Sequence, residues 1–260
     1  MTTYALITGA SKGIGKAIAK ELASRKHNLL LVARTETLLA ALAAELHTAY
    51  GVQAAYFATD LSHPSAPALV ADWVNTNGYA VDILVNNAGY GLGGSFAKHA
   101  PEENRDMMQV NMTVPVELCS RLLPVLQKQS KSYVLNIASS AAYQAVPGLS
   151  VYAATKSFMV SFSRGLRHEL RKTGVSVTVV SPGGTATEFA DRARLNADVV
   201  KKGEKLNMTP EAVAKLAIDA MYAGKAEIIT GFVNKLGAAL AWLFPKKLAE
   251  ITAAGLYHKD

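Results

Sequence analysis

The sequence predicts one α/β domain built on a doubly wound, seven-stranded parallel sheet with helices on both faces, and three observations carry that expectation. Seven short apolar runs alternate with longer helical patterns: Tyr4 to Thr8, Asn28 to Ala33, Val52 to Ala58, Ile83 to Asn86, Tyr133 to Ala138, Ser176 to Val180 and Glu227 to Thr230. That order produces parallel strands joined by crossover helices. Several runs, Leu29-Leu30-Leu31-Val32 among them, are apolar without alternation, as strands are when helices cover both faces of their sheet. The chain has 260 residues, 50% of them apolar and 18% charged, a size and composition suited to one globular domain with a substantial core. Residues 1–260 are therefore read as a single Rossmann-type domain, within which segments 188–207 and 232–260 stand apart by their patterning.

Between the first two strands, Ile14, Ala17, Ile18, Glu21 and Leu22 form a mostly apolar helical stripe, preceded by Thr8-Gly9-Ala10-Ser11-Lys12-Gly13-Ile14-Gly15. A glycine cluster between a strand and a helix suits a pyrophosphate: Gly9 allows a tight turn, Gly13 admits a ligand close to the backbone, and Gly15 lets the helix approach the sheet. The bare amides at the helix start then face the phosphates. Strand two ends in Ala33-Arg34, where an acid would bind the 2′-hydroxyl of NAD and repel a 2′-phosphate. Arg34 with Lys12 therefore points to NADP(H); Glu36 lies too late to supply the missing acid and leaves NAD(H) as the minor alternative. Asp60 reads locally as a helix cap and Asn86-Asn87-Ala88-Gly89 as a turn. The loop from Tyr90 to Phe96 follows a strand end, where ligands bind in open α/β sheets, and is expected to border the substrate. Pro101-Glu102-Glu103 opens a helix that runs past Asn111, an amide set among Val110, Met112 and Val114. Strand five closes in Ser139-Ser140, and the loop from Ala141 to Leu149 is expected to form a substrate wall that includes Tyr143 and Gln144.

The next helix opens with Ser150-Val151-Tyr152-Ala153-Ala154-Thr155-Lys156. Tyr152 and Lys156 are one turn apart and share a face. A phenol has an unperturbed pKa of about 10, and a cation about 4 Å away at an effective dielectric of about 20 is worth ~4 kcal/mol, roughly three pK units. Such a phenol exchanges a proton near neutrality. The helix continues through Phe158, Phe162, Leu166 and Leu170, with Gly174 as its expected stop. After strand six comes Ser181-Pro182-Gly183-Gly184-Thr185-Ala186-Thr187, and then the charged, poorly patterned segment 188–207, read as a mobile substrate lid. Thr209-Pro210-Glu211 starts a further helix with a cap, a first-turn proline and an acid. In the tail, Leu236, Leu240 and Leu243 fall at helical spacing with Trp242 and Phe244 nearby, followed by Pro245-Lys246-Lys247. Packing on the domain or at a subunit interface is the preferred reading of 232–260; an amphipathic membrane-surface segment with basic flanks is the alternative.

In order and spacing, these motifs resemble those of the short-chain dehydrogenase/reductase family, over a span from Thr8 to about Gly231. The resemblance implies hydride transfer between NADP(H) and a carbonyl or alcohol. It assigns Gly9, Ser11, Lys12, Gly13, Ile14, Gly15 and Arg34 to the cofactor's phosphates, and Asp60 and Leu61 to the adenine. Asn87, Ala88 and Gly89 would line the cofactor channel. Pro182, Gly183, Thr185 and Thr187 would lie by the nicotinamide or diphosphate. Ser139 would hold the substrate oxygen, Tyr152 would be the acid/base, and Lys156 would tune it while gripping the ribose. Asn111 would bend its helix and hold a water that relays protons to the lysine. Homodimers or homotetramers, paired through the Met112 to Leu126 helix and the Tyr152 helix, are common in that family and in oligomers generally.

Other classes fit less of the chain. Twenty-seven Lys and Arg against 20 Asp and Glu give a formal charge of +7, yet no run of five basic residues and no basic stretch interleaved with aromatics occurs, so no nucleic-acid role is expected. The single cysteine, Cys119, forbids an internal disulfide and suggests a reducing compartment. Six histidines without ligand spacing suggest no metal site. With no leader pattern and no apolar run near the ~18 residues of a membrane span, a cytoplasmic location is expected. Ser95-Phe96-Ala97-Lys98 and Lys172-Thr173-Gly174 match two motifs of penicillin-recognising hydrolases, but the third, Ser-Asp-Asn, is absent. A non-catalytic NADPH-binding regulatory protein on the same scaffold is the remaining alternative, and the full set of Ser139, Tyr152, Lys156 and Asn111 argues against it. The apolar loops point to a hydrophobic ketone or aldehyde as substrate.

Overall fold

A computed structural model describes residues 2–194, 207–243, 245–247, 250, 251 and 254. Seven parallel strands form one sheet in the order β3-β2-β1-β4-β5-β6-β7. They are β1 (Thr3–Thr8), β2 (Asn28–Ala33), β3 (Ala54–Ala58), β4 (Ala80–Asn86), β5 (Ser132–Ile137), β6 (Val175–Ser181) and β7 (Glu227–Ile229). The helices are α1 (Gly13–Ser24), α2 (Glu36–Tyr50), α3 (Ala66–Thr76), α4 (Pro101–Met108), α5 (Val114–Gln127), α6 (Ser150–Glu169), α7 (Phe189–Arg192), α8 (Pro210–Tyr222) and α9 (Phe232–Leu243).

The unbroken apolar strands divide between two cores. In β2, Leu29 and Leu31 enter a core with Ile18 and Leu22 of α1, Leu39 and Leu42 of α2, and Ile218 of α8. Leu30 and Val32 enter the other, with Val70 and Val74 of α3 and Leu118 and Leu122 of α5. Alternate residues of a strand point to opposite faces, so a run that looks featureless in sequence serves both layers.

Two strand starts differ from expectation by more than one residue. Strand β3 begins at Ala54 rather than Val52, because Gly51 closes α2 in a left-handed turn and the Val52 carbonyl meets His47 Nδ1 at 3.1 Å. Strand β4 reaches back to Ala80, since Thr3 and Tyr4 pair with Ala80 and Val81 across a register shift. Gly174 is not the stop of α6, which ends at Glu169. A Cβ at residue 174 would lie 2.9 Å from the Ser130 carbonyl oxygen, so glycine there permits a close approach of two loops.

The order in which strands are added to the sheet reverses between β1 and β4, the neighbouring strands whose connections run to opposite sides of the sheet. In open α/β sheets the crevice beyond the carboxyl ends at that switch point is where ligands bind.

Candidate active site

A cleft of about 570 Å³ opens over the strand ends. Its floor is the turn after β1. Gly9 sits at φ +65, a left-handed conformation that suits glycine. A Cβ at Gly15 would lie 2.2 Å from the Gly9 carbonyl oxygen, so only glycine lets α1 start this close beneath the turn. Thr8 joins this turn to the one after β4: its Oγ1 donates to the Val85 carbonyl and accepts from the amides of Asn87 and Ala88 at 3.0 and 3.1 Å. The Asn87 amide group donates back to the carbonyls of Thr8 and Gly9. Below them, buried Asn86 donates to Asn136, which donates to Ser163, tying β4 and β5 to α6.

At one end the cleft is lined by Ser11, Lys12, Gly13, Ile14, Arg34, Asp60 and Leu61. Arg34 lies 3.9 Å from Asp60, and Lys12 is paired with Glu188 at 2.7 Å. The Asp60 carboxyl lies below its ordinary range: burial pushes it up, but hydrogen bonds from the amide and hydroxyl of Ser62 and the charges of Arg34 and Arg192 outweigh that. Exposed amides, a glycine turn and convergent cations form a donor set that fits the diphosphate and 2′-phosphate of NADP(H).

At the other end stand Ser139, Tyr152 and Lys156. The Tyr152 ring is buried with Leu92, Met107, Val146 and Leu149, and tilts against Phe189 at 5.2 Å between centroids. Lys156 Nζ lies 5.8 Å from the Tyr152 ring centre and donates to the Ile137 carbonyl at 3.0 Å. Burial lowers its pKa from 10.5 to about 8. Ser139 caps a 3-10 turn over Ser140–Tyr143, its Oγ accepting from the Ala141 amide at 3.1 Å. Asn111 lies within a π-helical turn, Gln109–Thr113, between α4 and α5. Its amide bridges both backbone groups of Tyr90 and donates to Thr155 at 3.0 Å. A Cβ at Gly89 would lie 3.1 Å from both Asn111 Oδ1 and Lys156 Nζ, so the two groups face one another across that glycine.

Gly89, Asn87, Ala88, Pro182, Gly183, Thr185 and Thr187 all line the cleft, whereas Gly15 and Asn111 stand behind its wall. Gln144, Val146 and Leu149 line the cleft where the substrate wall is expected. Tyr143 does not join it: its hydroxyl bonds Ser181 and Glu227 at 2.9 and 2.6 Å. From the loop at 90–96, Tyr90 lines the cleft, while Gly91 backs the Tyr152 ring, 3.3 Å from where its Cβ would be. Of segment 188–207, residues 195–206 lie outside the described residues. The remainder supplies three groups that the sequence did not single out. Glu188 holds Lys12, Phe189 covers Tyr152, and the Arg192 guanidinium stacks over the Tyr90 ring at 4.3 Å. Their only advance signal was position, directly after the Pro182-Gly183 turn. Among the described residues there is no cluster able to hold a metal ion, and no helix is long and apolar enough to cross a membrane.

The model of the short chain dehydrogenase family matches residues 3–198. An uncharacterised oxidoreductase of Staphylococcus epidermidis is 33% identical over 199 residues, covering 74% of this chain and 85% of its own. The human 17-beta-hydroxysteroid dehydrogenase type 3 is 31% identical over 248 residues, 94% of this chain and 77% of its own. A solved short-chain dehydrogenase from Sphingobium yanoikuyae, in complex with NADPH, superposes with a TM-score of 0.82 at 30% identity, covering 93% of this chain and 94% of that one. Fold, turn chemistry and likeness agree, and the chain belongs to the short-chain dehydrogenase family of oxidoreductases.

Proposed function

We propose that the protein is an NADP(H)-dependent oxidoreductase that reduces a hydrophobic ketone or aldehyde to an alcohol in the cytoplasm, and runs in reverse under the opposite redox drive. The observation that carries this reading is a single cleft with Lys12 and Arg34 at one end and Ser139, Tyr152 and Lys156 at the other. Bound NADPH supplies the hydride. Ser139 Oγ, with its lone pairs partly engaged by the Ala141 amide, turns its hydroxyl proton toward the substrate oxygen. Tyr152 gives its phenolic proton to that oxygen as charge develops there. Lys156, held by the Ile137 carbonyl, places positive charge beside the phenolate that remains and reaches for the ribose. Asn111, braced by Tyr90 and Thr155, orients a water that returns a proton to Lys156. The rings of Phe189 and Tyr152 exclude bulk water.

The apolar lining from Val146, Leu149 and Phe189 supports a bulky, largely hydrocarbon substrate, and the human relative is named for a steroid. The outer faces of α5 and α6, the latter carrying exposed Phe158, are the surfaces through which a homodimer or homotetramer would pair. The test is NADPH oxidation against a panel of ketones and aldehydes, with NADH in parallel. Loss of the acid costs about 10²- to 10⁴-fold, so Tyr152→Phe should drop turnover into that range while NADPH still binds. Unchanged turnover in Tyr152→Phe would overturn the mechanism, and NADPH binding without turnover of any carbonyl would favour a regulatory binding protein.

A further inference from the structure

Helix α9 is turned inside out relative to an ordinary surface helix. Its half-buried residues are Asn234, Ala238 and Ala241, spaced three and four apart and therefore on one face. Asn234 anchors that face, donating to the Thr230 carbonyl at 2.8 Å. The large apolar residues point the other way. At about 100° per residue, Phe232, Val233, Leu236, Leu240 and Leu243 fall within about 100° of arc opposite the anchored face. Phe232 is 79% exposed and Leu243 67%; Trp242, outside the stripe and beside Lys235 on the helix flank, is 84% exposed. A surface helix normally buries its large apolar side chains and exposes its small and polar ones, whereas here none of the described residues covers the outer apolar face.

We propose that α9 is a docking face for an anionic lipid surface. Charge selects this occupant. Lys235, Lys246 and Lys247 are exposed at the stripe's edge and end, the helix itself carries no acid, and the whole chain bears +7. Anionic headgroups would meet these cations while the aromatic and aliphatic side chains enter the acyl boundary. A second copy of the chain fits less well. Self-pairing of α9 would bring its lysine against a helix without a counter-charge, and one helix about 18 Å long and ~10 Å across offers far less than the ~800 Å² per partner of a standard interface. The placement has a use. Helix α9 packs against the Ser140–Tyr143 turn, and its Asn234 against Gly183, both beside the catalytic cleft, so docking would bring the cleft's surroundings to the bilayer.

The experiment is co-flotation of the full chain with vesicles of pure phosphatidylcholine and with vesicles of equal parts phosphatidylcholine and phosphatidylglycerol, at low and high salt. The expected result is binding to the anionic vesicles, at least tenfold weaker with phosphatidylcholine alone and weakened by salt. Leu236→Glu/Leu240→Glu should lose binding tenfold or more, and Lys246→Glu/Lys247→Glu should lose the preference for anionic lipid. Both variants should keep the wild-type melting temperature and NADPH affinity. Failure of the wild-type chain to float with either vesicle would overturn the proposal, as would a wild-type dimer that Leu236→Glu/Leu240→Glu converts to monomer, which would make the occupant a second copy.

Discussion

Replacing Arg34 with alanine tests the cofactor end of the cleft most directly. A hydrogen bond to a charged group is worth about 1.5–3 kcal/mol. The Arg34 side chain is 53% exposed and shares its charge with Asp60 at 3.9 Å, so solvent and that carboxylate screen it, and the lower part of the range applies. About 1.5–2 kcal/mol corresponds to roughly a 10- to 30-fold loss of NADPH affinity. NADH has no 2′-phosphate, so its affinity should stay level or rise slightly as a poorly used cation leaves the adenosine end. Titration of cofactor fluorescence in wild type and Arg34→Ala, with both cofactors and at two salt concentrations, reads the ratio directly. Equal weakening of NADPH and NADH, or an unchanged ratio, would refute the assignment of Arg34 to the 2′-phosphate.

Glu188→Gln removes the acid that occupies Lys12 and should tighten NADPH binding up to a few-fold; the pair is exposed, which keeps the effect small. Lys156 provides a stability test. Its folded pKa is about 8 against 10.5, so between those values the unfolded chain holds more protons and stability should rise with pH. The cost of burying this cation, about 3 kcal/mol at most, is present in full below pH 8 and lost above 10.5. Lys156→Met should therefore gain most over wild type at pH 7 and less at pH 9.5 in denaturant melts of the free protein, and a gap that widens with pH would contradict the burial argument. Gly15→Ala places a methyl group 2.2 Å from the Gly9 carbonyl oxygen. That backbone clash should cost ~1–3 kcal/mol and be visible as a lower melting temperature together with weaker NADPH binding.

The strands and the cofactor turn were legible because their signals are local. Apolar runs, a glycine cluster between strand and helix, and two side chains one turn apart each declare themselves within a few residues. The local sequence puts Tyr143 in the substrate wall, but its hydroxyl is claimed by Ser181 and Glu227, partners far along the chain. Gly174 reads locally as a helix stop, but its real constraint is the Ser130 carbonyl, again a long-range contact. Arg192 and Glu188 belong to a segment without periodicity, and nothing local tells a solvated charge from one folded over Tyr90 or Lys12. For α9 the amphipathic spacing was readable from Leu236, Leu240 and Leu243, but which face meets the domain depends on the small pocket that accepts Asn234.

That pocket links two parts of the molecule far apart in sequence. A Cβ at position 183 would lie 1.9 Å from Asn234 Nδ2, so residue 183 must stay bare for the tail's amide to fit beside it, and the amide in turn fills the gap that this bareness leaves. The last helix is thus a keystone for the Pro182-Gly183 turn. Shortening the chain before Asn234 would leave a hole directly behind the cofactor's bed, and such a shortened enzyme would be expected to grip its nucleotide loosely even in plain buffer.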